Sequence, residues 1–199
     1  MYLIFDASAI SKPKDWKAPF SDTFAWPRLL HLSWIILDGE LKPMENHNYV
    51  IKPDGFEIDE DILKFTRLDQ KEIDARSTPL EEALHAFDYS LGSVDYVTAH
   101  NLNFSESVVA AEFLRKGISH SLFKKKSFCL MQESTFFCKI PTRAGGYKWP
   151  TLTELHSIIF NKAYSPPNNA RADVIAATRC FKALMMGKQL DDIFDDEDQ

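Results

Sequence analysis

Cysteine is scarce: three thiols, Cys129, Cys138 and Cys180, with no C-x-x-C pair, exclude a disulfide framework and a thiolate zinc site. That usage points to a reducing, cytoplasmic setting. No apolar run approaches the roughly 20 residues that a membrane span needs, so a transmembrane reading falls. The 7 Gly and 10 Pro are too few for a collagen-like or linker-like chain. Met1 to Phe5 is apolar but short, lacks a basic lead and meets an acid at Asp6, so it does not read as a secretory signal. A basic stripe is missing too. The formal net charge is −6, and six of the 29 acidic residues crowd into the last nine positions, leaving a body with as many acids as bases. Such a body neither advertises nor excludes a phosphate ligand.

What is present suffices for one globular domain with a proper core: 199 residues, 45% hydrophobic and 13% aromatic. No repeat and no composition shift divides the chain. The expected organisation is one domain over residues 1–186 and an acidic tail over 187–199. Tyr2 to Phe5 reads as a short buried strand, and Leu29 to Leu37 is apolar enough for a central one. Asp38-Gly39 supplies a hairpin turn into a third strand ending near Ile51, before Pro53. Thr78-Pro79-Leu80-Glu81 has capping-box spacing, and Leu80, Ala83, Leu84, Phe87 and Leu91 then recur at helical period. Val94 to Thr98 reads as a strand, Phe104 to Leu114 as a helix and Ser127 to Met131 as a strand. Ala170, Val174, Ala177, Phe181 and Leu184 mark a closing helix. The order predicts an α/β protein with a mixed sheet.

Three places carry chemistry. Asp6 directly follows the first strand and Ser8 lies two residues on, so an extended chain turns both to one side. The plainer reading is an acid that ends a strand. Ala99 to Glu106 spans a strand-to-helix junction, where side chains converge on the carboxyl edge of a sheet. There the plainer reading makes Asn101 or Asn103 a helix cap and His100 a satisfied core histidine. Asp173 falls three residues after Ala170 and four before Ala177, which sets a carboxylate beside a buried stripe. Buried charge is costly without a partner or a metal.

Together these segments resemble the DEDDh 3′–5′ exonucleases, typified by the proofreading epsilon subunit of bacterial DNA polymerase III. The family pattern is F-D-x-E, H-N-x-x-F-D and H-x-x-x-x-D. Here it reads Phe5-Asp6-Ala7-Ser8, His100-Asn101-Leu102-Asn103-Phe104-Ser105 and Asn168-Asn169-Ala170-Arg171-Ala172-Asp173. Trp26-Pro27-Arg28-Leu29, Gly55-Phe56-Glu57-Ile58, Ala111-Glu112-Phe113-Leu114 and Tyr147-Lys148-Trp149-Pro150 also look like family segments. The resemblance runs from Met1 to about Met186 and implies a ribonuclease H-like fold with a five-stranded mixed sheet flanked by helices.

Family members hold two Mg²⁺ or Mn²⁺ ions on four carboxylates and use the histidine as base. Here Ser8, Ser105 and Asn168 stand where the family has Glu, Asp and His, so Asp6 and Asp173 are the retained catalytic and metal positions. Two carboxylates leave the charge of two divalent ions uncompensated, so at most one weakly bound Mg²⁺ or Mn²⁺ is expected without substrate. An amide at Asn168 accepts no proton near neutral pH. Glu106 is the nearest spare carboxylate, but it is turned about 100° from Ser105 on a helix. The family's Thr-Thr-Gly and His-Gly runs read Ala9-Ile10-Ser11 and Thr66-Arg67 here, which fills glycine positions with side chains.

The resemblance implies nucleic-acid contact at Ala7, Ser8, His100, Asn101 and Phe104. The expectation is a single-strand-associated exonuclease homologue whose activity is lost or very weak. The alternatives are a weakly active metal-dependent exonuclease and a non-catalytic protein-interaction scaffold. In the tail, Gln189-Leu190-Asp191-Asp192-Ile193-Phe194 resembles sliding-clamp peptides with one residue too many, so a protein partner through the acidic tail is a further expectation.

Overall fold

The computed structural model describes residues 1–187 and Leu190. Five strands, β1 (Tyr2–Ala9), β2 (Leu29–Leu37), β3 (Pro43–Val50), β4 (Tyr96–Ala99) and β5 (Lys126–Cys129), form one sheet in the order β3-β2-β1-β4-β5. The first three make an antiparallel meander, whereas β4 runs parallel to β1 and β5 parallel to β4. The helices are α1 (Glu60–Thr66), α2 (Gln70–Arg76), α3 (Leu80–Leu91), α4 (Leu102–Lys116), α5 (Leu130–Glu133), α6 (Thr135–Cys138), α7 (Leu152–Phe160) and α8 (Ala170–Met186). The expected mixed α/β sheet is the one found. No described helix is long and apolar enough to cross a membrane.

Alternation along β1 decides where the chemistry goes. Leu3, Phe5 and Ala7 pack into the core shared with α3 and α4, while Ile4 packs into the core under α7 and α8. Successive strand side chains point to opposite faces, so Asp6 and Ser8 lie on the face that α8 covers. All nine residues of β2 are buried, as a strand covered on both faces requires.

β1 is longer than its apolar run. It carries Asp6 and Ser8 inside the ladder, opposite Ser33 and His31, and bulges only between Ser8 and Ala9. The plainer reading of Asp6 as a strand end is therefore wrong. The β2–β3 hairpin forms, but its left-handed residue is Leu41 (φ 62°), while Asp38 Oδ1 accepts the Glu40 and Lys42 amides at 2.9 and 2.8 Å. Thr78 caps nothing: its amide and carbonyl bond to Val50 and Lys52, and Pro79 precedes the helix without a side-chain cap. A true capping box stands instead at Thr151 and Glu154, opening α7. β5 ends at Cys129 because Leu130 and Met131 already belong to α5.

Three of the four scaffold segments singled out in the sequence, around Arg28, Phe56 and Glu112, are physically joined. Glu112 of α4, wholly buried, accepts from Arg28 Nε at 2.8 Å and from the Leu29 amide at 2.9 Å, and pairs with Arg115 at 3.1 Å. Arg115 also bonds the carbonyl of Trp26 at 2.7 Å, and the Arg28 guanidinium lies 4.8 Å from the centre of the Phe56 ring. All three donors converge on Oε1, while the buried Oε2 has no hydrogen-bond partner; removing one partner of such a buried charge is costly. Leu190 is buried in the core under α8. The rest of the clamp-like peptide and of the acidic tail lies outside the described residues.

Candidate active site

The carboxyl ends of the parallel strands β1 and β4 open into a cavity of about 370 Å³. Asp6, Ala7 and Ser8 come from β1, and His100, Asn101, Phe104 and Ser105 from the junction of β4 and α4. Asn168 and Asp173 come from the entry and first turn of α8. Every residue singled out in the sequence for catalysis or nucleic-acid contact thus lines one space.

Asp173 faces the sheet because Ala170, Val174 and Ala177 of the same helix are buried. Burial raises Asp6 well above the usual carboxylate range, and the neighbouring Asp173 charge raises it further. Burial also lifts Asp173 to about 6, although the Tyr164 hydroxyl and the Asn168 backbone favour its charged form. Tyr164 donates to Asp173 Oδ1 at 2.7 Å. Burial, then the Asp173 charge, keep that phenol protonated.

The neutral side chains at positions 8, 105 and 168 have distinct settings. Ser8 Oγ reaches the Asn168 carbonyl at 3.4 Å, a weak link between β1 and the approach to α8. Ser105 is 1% exposed and its hydroxyl has no hydrogen-bond partner. Asn168 adopts a left-handed backbone (φ 66°), which Asn tolerates better than most residues. Asn169 then caps α8 by accepting from the Ala172 amide and ties it to α1 by donating to the Thr66 carbonyl at 3.1 Å. His100 is pinned to the Pro150 carbonyl at 3.0 Å, and burial lowers it to about 4. It is a neutral scaffold histidine at the cavity wall, and its second ring nitrogen has no partner. Asn101 precedes α4 without a side-chain cap. Glu106 does not line the cavity, as its place on a regular α4 requires.

Sequence reasoning missed Trp16, Phe65 and Tyr164. Trp16 stands at the mouth with its ring 5.8 Å from that of Phe104, and both it and Phe65 are largely exposed. Its loop is fastened where Trp26 Nε1 donates to the carbonyls of Ala18 and Pro19, both at 3.2 Å. An aromatic among lysines and prolines just after Asp6 was the available signal for Trp16. Tyr164 had none, since it lies in an irregular loop ahead of Pro166 and Pro167.

The donors decide what the cavity can hold. Among the described residues no three His, Cys, Asp or Glu side chains converge as a metal group. Two carboxylates and neutral hydroxyls do not fit two divalent ions. For one ion, Asp6 and Asp173 are the charged donors.

No protein-family model and no curated protein matches the chain. Solved structures do. E. coli exonuclease I in complex with a dA16 oligonucleotide superposes with a TM-score of 0.71 at 16% identity, over 97% of this chain and 42% of that one. The complex of the same enzyme with a dT13 oligonucleotide gives 0.72 at 16% identity, over 98% and 42%. A zinc-bound form of the E. coli enzyme with single-stranded DNA gives 0.72 at 16% identity, over 97% and 42%. The chain therefore spans less than half the length of these proteins. At this identity the likeness establishes the fold, which is that of the matched part of exonuclease I and is ribonuclease H-like.

Proposed function

We propose that this protein is a homologue of the DEDDh 3′–5′ exonucleases, of the epsilon-like kind, that binds the end of a single-stranded nucleic acid and hydrolyses it very slowly or not at all. One observation carries the proposal: the five positions that hold the chemistry in that family meet in one cavity, and three of them, Ser8, Ser105 and Asn168, are neutral. At most one Mg²⁺ or Mn²⁺ sits on Asp6 and Asp173, weakly until substrate phosphates add ligands. Without a histidine at position 168 the general base that the resemblance implies is missing, a loss typically worth about 10²- to 10⁴-fold. Together the two deficits bring the rate close to background.

Binding rests on different groups. Trp16, Phe65 and Phe104 offer ring faces at the cavity mouth, and stacking on an aromatic side chain contributes about 1–3 kcal/mol per base whatever the sequence. Ala7, Ser8, His100 and Asn101 shape the floor on which the terminal nucleotide rests. Anisotropy of a fluorescent single-stranded oligonucleotide tests this. The wild type binds with an affinity that falls as salt rises, and Trp16→Ala weakens binding about tenfold. No salt-dependent binding, or an unchanged affinity in the variant, overturns the reading.

A second reading, a slow metal-dependent exonuclease, is favoured by the convergence of Asp6 and Asp173, which preserves a place for one ion.

A further inference from the structure

We infer that Tyr164 is a latch on the metal position, donating its hydroxyl into the Asp173 carboxylate that a cation would have to share. The inference rests on the proposed role of Asp6 and Asp173 as the seat of an ion. Tyr164 belongs to the loop between α7 and α8 and reaches back to the first turn of α8, where its hydroxyl lies 2.7 Å from Asp173 Oδ1. Its ring packs on His156, with centroids 5.5 Å apart. His156 is 1% exposed and is fixed in turn, its Nδ1 donating to the Lys162 carbonyl at 2.6 Å. The phenol is thus aimed at the carboxylate by a buried neighbour rather than by chance of rotamer.

A hydroxyl and a cation compete for such an oxygen. The O–H presents its positive end to Asp173, so an arriving ion meets both an occupied lone pair and a repelling dipole. It either turns the phenol away, breaking a charge-assisted hydrogen bond, or coordinates through the remaining lone pairs of Asp173 against the positive end of the hydroxyl, and both routes weaken its binding. With Ser8 and Ser105 neutral, no further carboxylate among the cavity-lining residues compensates that cost. Tyr164 therefore competes for Asp173 and sets how weakly an ion binds.

Tyr164→Phe removes the oxygen and keeps the ring on His156. Calorimetric titration of the full chain with Mn²⁺ alone, without nucleic acid, reads the result, and thermal unfolding confirms that the variant is folded. The affinity for Mn²⁺ rises about tenfold or more over wild type, the scale expected for losing a hydrogen bond to a charged group. Adding Asp173→Ala to Tyr164→Phe abolishes the gain. Tyr164→Leu, which lacks ring and hydroxyl, moves the affinity in the same direction and guards against an effect of the phenyl ring alone. Equal affinities overturn the latch. A weaker affinity in Tyr164→Phe also overturns it, since the phenolic oxygen would then be a ligand. No binding to any variant overturns it as well, yet leaves the proposed nucleic-acid binding without hydrolysis standing.

Discussion

Asp6 and Asp173 face each other across the seam between β1 and α8, and in the absence of a cation their enclosure works against folding. Asp173 has an ordinary value near 3.8 and is lifted to about 6 in the fold, chiefly by burial. A raised carboxyl binds more protons folded than unfolded, so its contribution to stability is greatest in acid and is lost as pH rises from about 4 to about 6. Asp173→Asn, whose amide oxygen still accepts from Tyr164, escapes that loss. In a chelator at pH 7.5 the variant is more stable than wild type by roughly 1–3 kcal/mol, and the gap closes by about pH 4. Denaturant unfolding across pH measures it, and an equal or less stable variant at pH 7.5 contradicts it. His31 and His100 pull the other way: burial lowers both to about 4, so the stability they permit is present above about 6.5 and falls away below it. Both proteins keep that acid limb. His31, whose ring nitrogen bonds Asn48 at 2.7 Å, sits opposite Ser8 in the β1–β2 ladder and stiffens the floor of the site.

The ends of elements carry strain that the sequence pattern does not announce. Arg67 closes α1 in a left-handed conformation (φ 56°, ψ 30°), a place where glycine is the usual occupant. The family resemblance puts glycine at this position. Arg67→Gly therefore relieves the backbone and stabilises the protein by about 1 kcal/mol, read as a rise in the unfolding midpoint. An unchanged or lower midpoint means that the arginine makes compensating contacts. Elements with long, strongly periodic cores were legible from the residues alone: β2 with its unbroken apolar run, α3 with Leu80, Ala83, Leu84, Phe87 and Leu91, and α8 with its stripe. The short helices α1, α2, α5, α6 and α7 were not, because one or two turns carry too little periodicity and depend on tertiary packing for their stability. β1 was cut short for a different reason: polar Asp6 and Ser8 interrupt its apolar run, and a strand tolerates them because its period turns both to one side. At the site, the spacing of Asp6, Ser8, Ser105, Asn168 and Asp173 was readable through the resemblance. Trp16, Phe65 and Tyr164 reach the cavity from loops and a helix end, whose course no local pattern sets.

At the scale of the whole molecule, a fold shared with exonuclease I encloses a cavity lined by two carboxylates. The sheet order β3-β2-β1-β4-β5 brings the carboxyl ends of β1 and β4 together, and α8 crosses them with its first turn over Asp6. The Arg28–Glu112–Arg115 cluster locks the opening of β2 to α4 and is independent of catalysis. Such a frame maintains a cavity of nucleotide size whether or not the cavity hydrolyses anything, and function follows from the side chains within it. With two carboxylates, no base at position 168 and a phenol bonded to Asp173, the account expects recognition without turnover. The most direct test is nucleotide release from a 5′-labelled single-stranded oligonucleotide, in Mg²⁺ and then Mn²⁺, by wild type and by Asp6→Ala prepared in parallel. The prediction is no shortening beyond the level shared with Asp6→Ala in either metal, or at most a fraction of one turnover, whereas 3′ shortening by the wild type over multiple turnovers that disappears in Asp6→Ala would contradict it.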